Sequence, residues 1–85
     1  MVEKIEFTKY AEFQLEERLI NRLDVLDTIK YPGQIVIGHK GRKIAQKILQ
    51  KSGEDGLLRV IFEEKEDILL VITVYWTSKL RKYWS

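Results

Sequence analysis

The run ILLVITVYW, Ile68–Trp76, constrains this chain more than any other stretch. It is nine residues long and is broken only by Thr73. Nine residues are too few to cross a bilayer, and the β-branched and aromatic content points to a strand. Side chains on a strand alternate between its two faces, and here both faces are apolar. Such a strand is expected to be central in a sheet. It is either covered on both sides, or covered on one and dimerised on the other.

The second half of the chain supplies the rest of that sheet. LLRVIFEE precedes the apolar run and is joined to it by a charged turn at Lys65 and Glu66. QIVIG is a short β-branched run, and HKGRK is a turn or basic loop around Gly41. KIAQKILQK reads two ways. Alternation places Ile44, Gln46, Ile48 and Gln50 on one face, whereas helical spacing pairs Ile44 with Ile48 and Ala45 with Leu49. Its length and its place between two strands favour strand.

The first half is different. KIEFT alternates and predicts a short edge strand with Ile5 and Phe7 on one side. Thr8 is positioned to cap a helix from Lys9 to about Ile20, with Ala11, Leu15 and Leu19 at helical spacing. Asn21 caps a second, shorter helix with Val25, Leu26 and Ile29 as its apolar stripe. Tyr31-Pro32-Gly33 ends it. The order is β-α-α-β-β-β-β or nearly so. The expected fold is α+β: one domain over 1–85, two N-terminal helices on a twisted antiparallel sheet of about four strands, and a short C-terminal helical turn capped by Thr77 or Ser78.

Composition narrows the chemistry. The chain has 85 residues and no cysteine, so it supports one thin core and neither disulfides, thiolate zinc sites nor a cysteine nucleophile. His39 is the only histidine, and it lies in a Gly-bounded turn. One histidine with scattered carboxylates carries no metal signature, and no cofactor motif is present. The serines have no histidine in a triad context. The absence of cysteine and of an apolar leader run favours the cytoplasm, with no membrane association.

Charge is unevenly spread. Net charge is +2, yet Thr28–Gly53 carries Lys30, Lys40, Arg42, Lys43, Lys47 and Lys51 with no acid. The tail TSKLRKYWS adds Lys79, Arg81 and Lys82, again with no acid. A face built this way attracts phosphate, or it is simply a solvated surface. Arginine, lysine and tyrosine can cleave RNA without a metal. The 2′-hydroxyl is the nucleophile. The protein supplies a base, cations for the pentavalent phosphate and an acid for the leaving 5′-oxygen. Arg59, Lys79, Arg81, Lys82 and Tyr83 are the catalytic candidates. Lys40, Arg42, Lys43, Lys47 and Tyr75 are candidates for holding RNA by charge and stacking. Arg59 lies mid-strand among apolar neighbours, where a structural ion pair is the alternative role.

YAEFQLEERLINRLDVLDTIKYP resembles the family known as domain of unknown function forty-two fifty-eight. That family's pattern runs His-Ala, an Arg four residues after the His, a second Arg four further on, then Ile, Val and a closing Pro. Ala11, Arg18, Ile20, Val25 and Pro32 occupy matching positions. GLLRVIF and VITVYWTSKLRKYW resemble its later segments, so the likeness runs from about Phe7 to Trp84. The family is grouped with RelE/ParE-like toxins. The resemblance implies two helices on an antiparallel sheet and a toxin encoded beside a small antitoxin. It also implies either metal-free cleavage of RNA or ribosome-bound mRNA (RelE-like) or inhibition of gyrase (ParE-like). It adds Arg18 to the catalytic candidates. The family's His falls on Tyr10 and its first Arg on Gln14. These departures keep open a non-catalytic RNA- or protein-binding module of the same fold. Homodimerisation through a sheet edge or the tail is a further expectation.

Overall fold

The computed structural model describes residues 4–84. The elements are β1 (Lys4–Phe7), α1 (Lys9–Glu17), α2 (Arg22–Lys30), β2 (Gln34–Ile37), β3 (Lys43–Lys51), β4 (Glu54–Lys65), β5 (Ile68–Thr77) and α3 (Leu80–Tyr83), with a 3-10 turn at His39–Gly41 between β2 and β3. The fold is α+β, but the expected antiparallel sheet of about four strands is corrected. There are five strands in the order β1-β5-β4-β3-β2, and the sheet is mixed because β1 runs parallel to β5. The remaining pairs are antiparallel, as hairpin connections require. The two helices carry the chain from one edge of the sheet to the other. That crossover lets β1 and β5 share a direction, which no local sequence pattern encodes.

KIAQKILQK is a strand. Its register places Ala45 opposite Val60, and Val60 opposite Val74, all essentially buried. With Ala11, Leu15, Val25, Leu58, Phe62, Leu69 and Val71 they form the core between helices and sheet. The helices cover β5 on that face alone. Its other face, with Ile68, Leu70, Thr73 and Tyr75, is half-buried. A bulge shifts the pairing of β4 with β5 between Ile61 and Phe62, leaving Ile72 without an opposite residue. The bulge keeps both Val71 and Val74 on the core side.

The caps of α1 and α2 form as the sequence predicts, but the expected cap of the C-terminal turn by Thr77 or Ser78 does not: Lys79 is the N-cap of α3 with no side-chain cap bond, and Thr77 Oγ1 accepts from the Lys79 amide at 3.1 Å instead. Thr8 Oγ1 accepts from the Ala11 amide at 3.0 Å, and Asn21 Oδ1 accepts from the Leu23 amide at 2.8 Å. α1 ends one turn earlier than expected. Leu19 adopts φ 52°, the Leu19 amide donates to the Glu16 carbonyl, and the Ile20 amide donates to the Leu15 carbonyl. This is a Schellman closure with leucine where glycine is the usual occupant, so the stop carries no sequence signal.

β1 pairs with β5 only as far as Val71, so the rest of that edge of β5 needs other partners. Gln14, 4% exposed, supplies one: its Oε1 accepts from the Val74 amide at 2.9 Å. Gln14 therefore belongs to the seam between α1 and the sheet. Gln14→Leu strands a buried amide and is expected to cost about 1–3 kcal/mol in chemical denaturation. Leu19→Gly relieves a left-handed leucine that is 82% exposed. It is expected to be neutral or stabilising by up to about 1 kcal/mol in the same experiment, against the usual sign for glycine near a helix.

Candidate functional site

The sheet face away from α1 and α2 carries one polar row. Register alone builds it: Gln34 lies opposite Gln46, Gln46 opposite Arg59, and Arg59 opposite Tyr75. Four strands thus contribute one residue each along a line perpendicular to the strands. The neighbouring rows are apolar on β3 and β4, with Ile44 opposite Ile61 on one side and Ile48 opposite Leu57 on the other, and end on β5 at Thr73 and Thr77.

Arg59 is the centre of the row and is 8% exposed. A buried guanidinium normally pairs with a carboxylate. Here Nε donates to Gln46 Oε1 at 2.9 Å and Nη1 donates to Tyr75 Oη. The structural ion pair allowed for Arg59 is absent: among the described residues no carboxylate pairs with it. Its charge is held by a neutral amide and aromatic faces. The Arg59 Cζ lies 4.2 Å from the Tyr83 ring centroid and 5.6 Å from that of Tyr75, and the two rings meet edge to face at 6.3 Å.

Gln46 orients this arrangement. It is 0% exposed, and arginine can only donate, so the Gln46 carbonyl oxygen must face Arg59. The amide nitrogen is then turned the other way, donating to Gln34 Oε1 at 2.8 Å and to the Tyr83 carbonyl at 3.0 Å. One side chain thereby fixes both the arginine and the tail. Gln46 was not among the candidates. Its signal was present in the sequence: a polar residue on the Ile44, Gln46, Ile48 face.

The tail packs onto this face through α3. The Gly33 backbone makes room for Trp84. A Cβ on Gly33 would lie 2.6 Å from Trp84 Cη2. Glycine is used there for close approach, a reason beyond ending the helix. Lys82 Nζ lies 5.3 Å from the Tyr83 ring centroid. Burial raises the Tyr83 pKa. The charge of Lys82, hydrogen bonding with Lys82 and Tyr75, and the charge of Arg59 outweigh it and leave the phenol below its ordinary range.

The remaining candidates are scattered. Lys79 and Arg81 are exposed on the tail and make no ion pair among the described residues. Lys40 is exposed in the 3-10 turn at φ 56°. Arg42 pairs with Glu63 at 3.0 Å, Lys43 with Glu64 at 2.9 Å, and Lys47 with Asp27 of α2 at 2.5 Å. Arg18 ends α1 in the helix layer, where its carbonyl accepts from Lys51 Nζ at 3.0 Å. Tyr10 also lies on α1 and is 57% exposed. The structure therefore brings together Arg59, Tyr75, Lys82 and Tyr83, and leaves Arg18, Lys40, Arg42, Lys43 and Lys47 outside the cluster.

Residues 7–76 match the family described as Domain of unknown function (DUF4258). The chain belongs to that family. Arg59 and Tyr75 of this DUF4258 member lie inside the matched segment, and Lys82 and Tyr83 follow it. No curated protein and no solved structure matches the chain. No helix among the described residues is long and apolar enough to cross a membrane.

The Tyr83 shift has a defined consequence. Its anionic form is favoured in the folded chain, so the shift adds nothing well below the folded pKa, where folded and unfolded phenols are both protonated. The stabilisation grows as pH rises through the folded pKa and is complete above the unfolded value of 10.0. In an ultraviolet titration, Tyr83 is expected to ionise below that value, and Lys82→Met is expected to move its ionisation upward.

Proposed function

We propose that this protein is a metal-independent endoribonuclease of the RelE-like toxin type, acting on RNA or ribosome-bound mRNA and held in check by a small antitoxin protein. The observation that carries the reading is Arg59: a buried guanidinium with no carboxylate partner among the described residues, beside a tyrosine whose pKa is lowered in part by Lys82. An arginine already neutralised by an acid is a poor phosphate receptor. One held by an amide and aromatic rings retains its charge for an anion.

The chemistry follows from the group types. A phosphodiester oxygen takes the charge of Arg59. Tyr83, as phenolate, removes the proton of the 2′-hydroxyl. The 2′-oxygen forms a bond to phosphorus as the bond to the 5′-oxygen breaks, and the Lys82 ammonium donates its proton to that leaving oxygen. The products are a 2′,3′-cyclic phosphate and a 5′-hydroxyl. Tyr75 offers a face for a flanking base. Lys79 and Arg81 add charge along the strand's path.

A second reading is a non-catalytic RNA-binding module of the same fold. It is favoured by the Nε and Nη1 donors of Arg59 being committed to Gln46 and Tyr75, a structural use of the same cation. The positions of Tyr10 and Gln14 do not favour it. Both lie in the helix layer, so their departure from the family pattern leaves the Arg59 cluster untouched.

The two readings part in one assay. Purified protein with a chelator and single-stranded RNA is expected to yield cyclic-phosphate ends, with a rate that climbs with pH as Tyr83 ionises. Tyr83→Phe and Lys82→Met each remove a proton-transfer group and are expected to slow cleavage about 10²- to 10⁴-fold while RNA is still bound. Binding without cleavage by the unaltered protein would leave only the binding module.

A further inference from the structure

We infer that the C-terminal segment Ser78–Trp84 is a strap, docked over the Arg59 site in the free protein, which must lift to admit an RNA strand and re-dock for cleavage. The inference rests on the reading of Arg59 as a phosphate receptor and adds how that receptor is opened.

Three observations support it. First, α3 is four residues long and has no side-chain cap, so it has no stability of its own. It holds its shape only because it is docked. Second, the docking contacts are few and local. Gln46 Nε2 holds the Tyr83 carbonyl at 3.0 Å, the Trp84 ring sits on Gly33, and the Tyr83 ring covers the Arg59 guanidinium at 4.2 Å. The segment leading in, Ser78 and Lys79, is exposed. Third, the docked state gathers like charge. Lys82 and Arg59 are both drawn to the Tyr83 ring, at 5.3 and 4.2 Å from its centroid, Lys79 and Arg81 follow on the same short tail, and none of the four has an acidic partner among the described residues. Their repulsion opposes docking and leaves the strap weakly held.

These facts also explain why Arg59 is 8% exposed although no carboxylate among the described residues caps it. The chain's own aromatic ring occupies the face of the guanidinium that an extended strand must pass. A polyanion entering the site relieves the repulsion and exchanges the ring for phosphate. Re-docking then returns Tyr83 and Lys82 to the scissile bond. Affinity is reduced by the fraction of molecules with the strap lifted, so loosening the strap tightens binding. The same loosening removes two reacting groups, so it slows cleavage. A tail that merely adds binding surface would move both quantities in the same direction.

The test uses two variants that leave Arg59, Lys82 and Tyr83 in place. Trp84→Ala removes the ring that sits on Gly33. Gly33→Leu puts a side chain where that ring lies, at an exposed position, with its Cβ also 3.3 Å from the Gln46 carbonyl oxygen that accepts from the residue's own amide. Binding is read by fluorescence anisotropy of a labelled single-stranded RNA made uncleavable by 2′-O-methylation. Cleavage is read on the unmodified strand. Both variants are expected to bind more tightly, about tenfold if the open fraction rises from about a tenth to nearly all, and to cleave more slowly. Unchanged or weaker binding in both overturns the strap.

A second arm separates this inference from the reading beneath it. Inorganic phosphate is titrated while the Arg59 Nε–H resonance is followed. A response that is stronger in the two variants than in the unaltered protein, with no RNA bound by either, keeps the strap and sinks the ribonuclease reading. No response in any of the three proteins overturns both.

Discussion

The hydrogen bond from Arg59 Nε to Gln46 Oε1 is the interaction on which the working face of this protein depends. It fixes the guanidinium without neutralising it. It also dictates which way the Gln46 amide points, and hence that its nitrogen holds the Tyr83 carbonyl. The docking of the tail, the Tyr83 ring over Arg59 and the lowered pKa of Tyr83 all follow from that orientation. Placing the row between the apolar residues Ile44 and Ile61 on one side and Ile48 and Leu57 on the other lowers the local dielectric, which strengthens each of these contacts and makes an unpaired charge more costly. A domain of 85 residues has little stability to spare for such a cost. Its retention is the physical reason to regard the row as a site.

The fold separates structure from site by layers. α1 and α2 cover one face of the sheet, and the core lies between them. The polar seam of that layer is Gln14 on the Val74 amide, together with Thr8 Oγ1, which donates to the Ile72 carbonyl at 3.1 Å next to the bulge. These bonds satisfy β5 where β1 no longer pairs with it. The opposite face is thereby left free of helices except α3. Changes in the helix layer act on stability, and changes in the Gln34–Gln46–Arg59–Tyr75 row act on the site.

What the sequence revealed and what it hid divide along local and non-local lines. Thr8 and Asn21 announce their helices because capping involves the next three residues only. The strands β3, β4 and β5 are legible from alternation and β-branched content. The parallel pairing of β1 with β5 is not legible, because Lys4 meets Ile68 across a gap that only the crossover sets. The early stop of α1 is hidden by Leu19 in a glycine-like conformation. Arg59, Tyr75, Lys82 and Tyr83 were recognised by residue type, and the register then brought them together. Arg42, Lys43 and Lys47 have the same residue types, yet each meets an acid from a distant part of the chain. Charge patterning along the chain cannot see those partners. Gln46 is legible only as a polar residue on the Ile44 and Ile48 face, because its role depends on Gln34, Arg59 and Tyr83, which local pattern does not place beside it.

The central claim is that Arg59 is an unneutralised anion receptor and not a structural cation. The most direct measurement is the melting temperature as a function of inorganic phosphate, with ionic strength held constant by chloride. Binding to the folded chain alone raises stability by RT ln(1 + [L]/Kd), about 2.7 kcal/mol at a hundred times Kd. For a domain of this size each kcal/mol corresponds to about 4–8 °C. The account predicts a melting temperature that climbs with phosphate in the unaltered protein and stays flat in Arg59→Met. A flat response in the unaltered protein, or an equal rise in Arg59→Met, would contradict it.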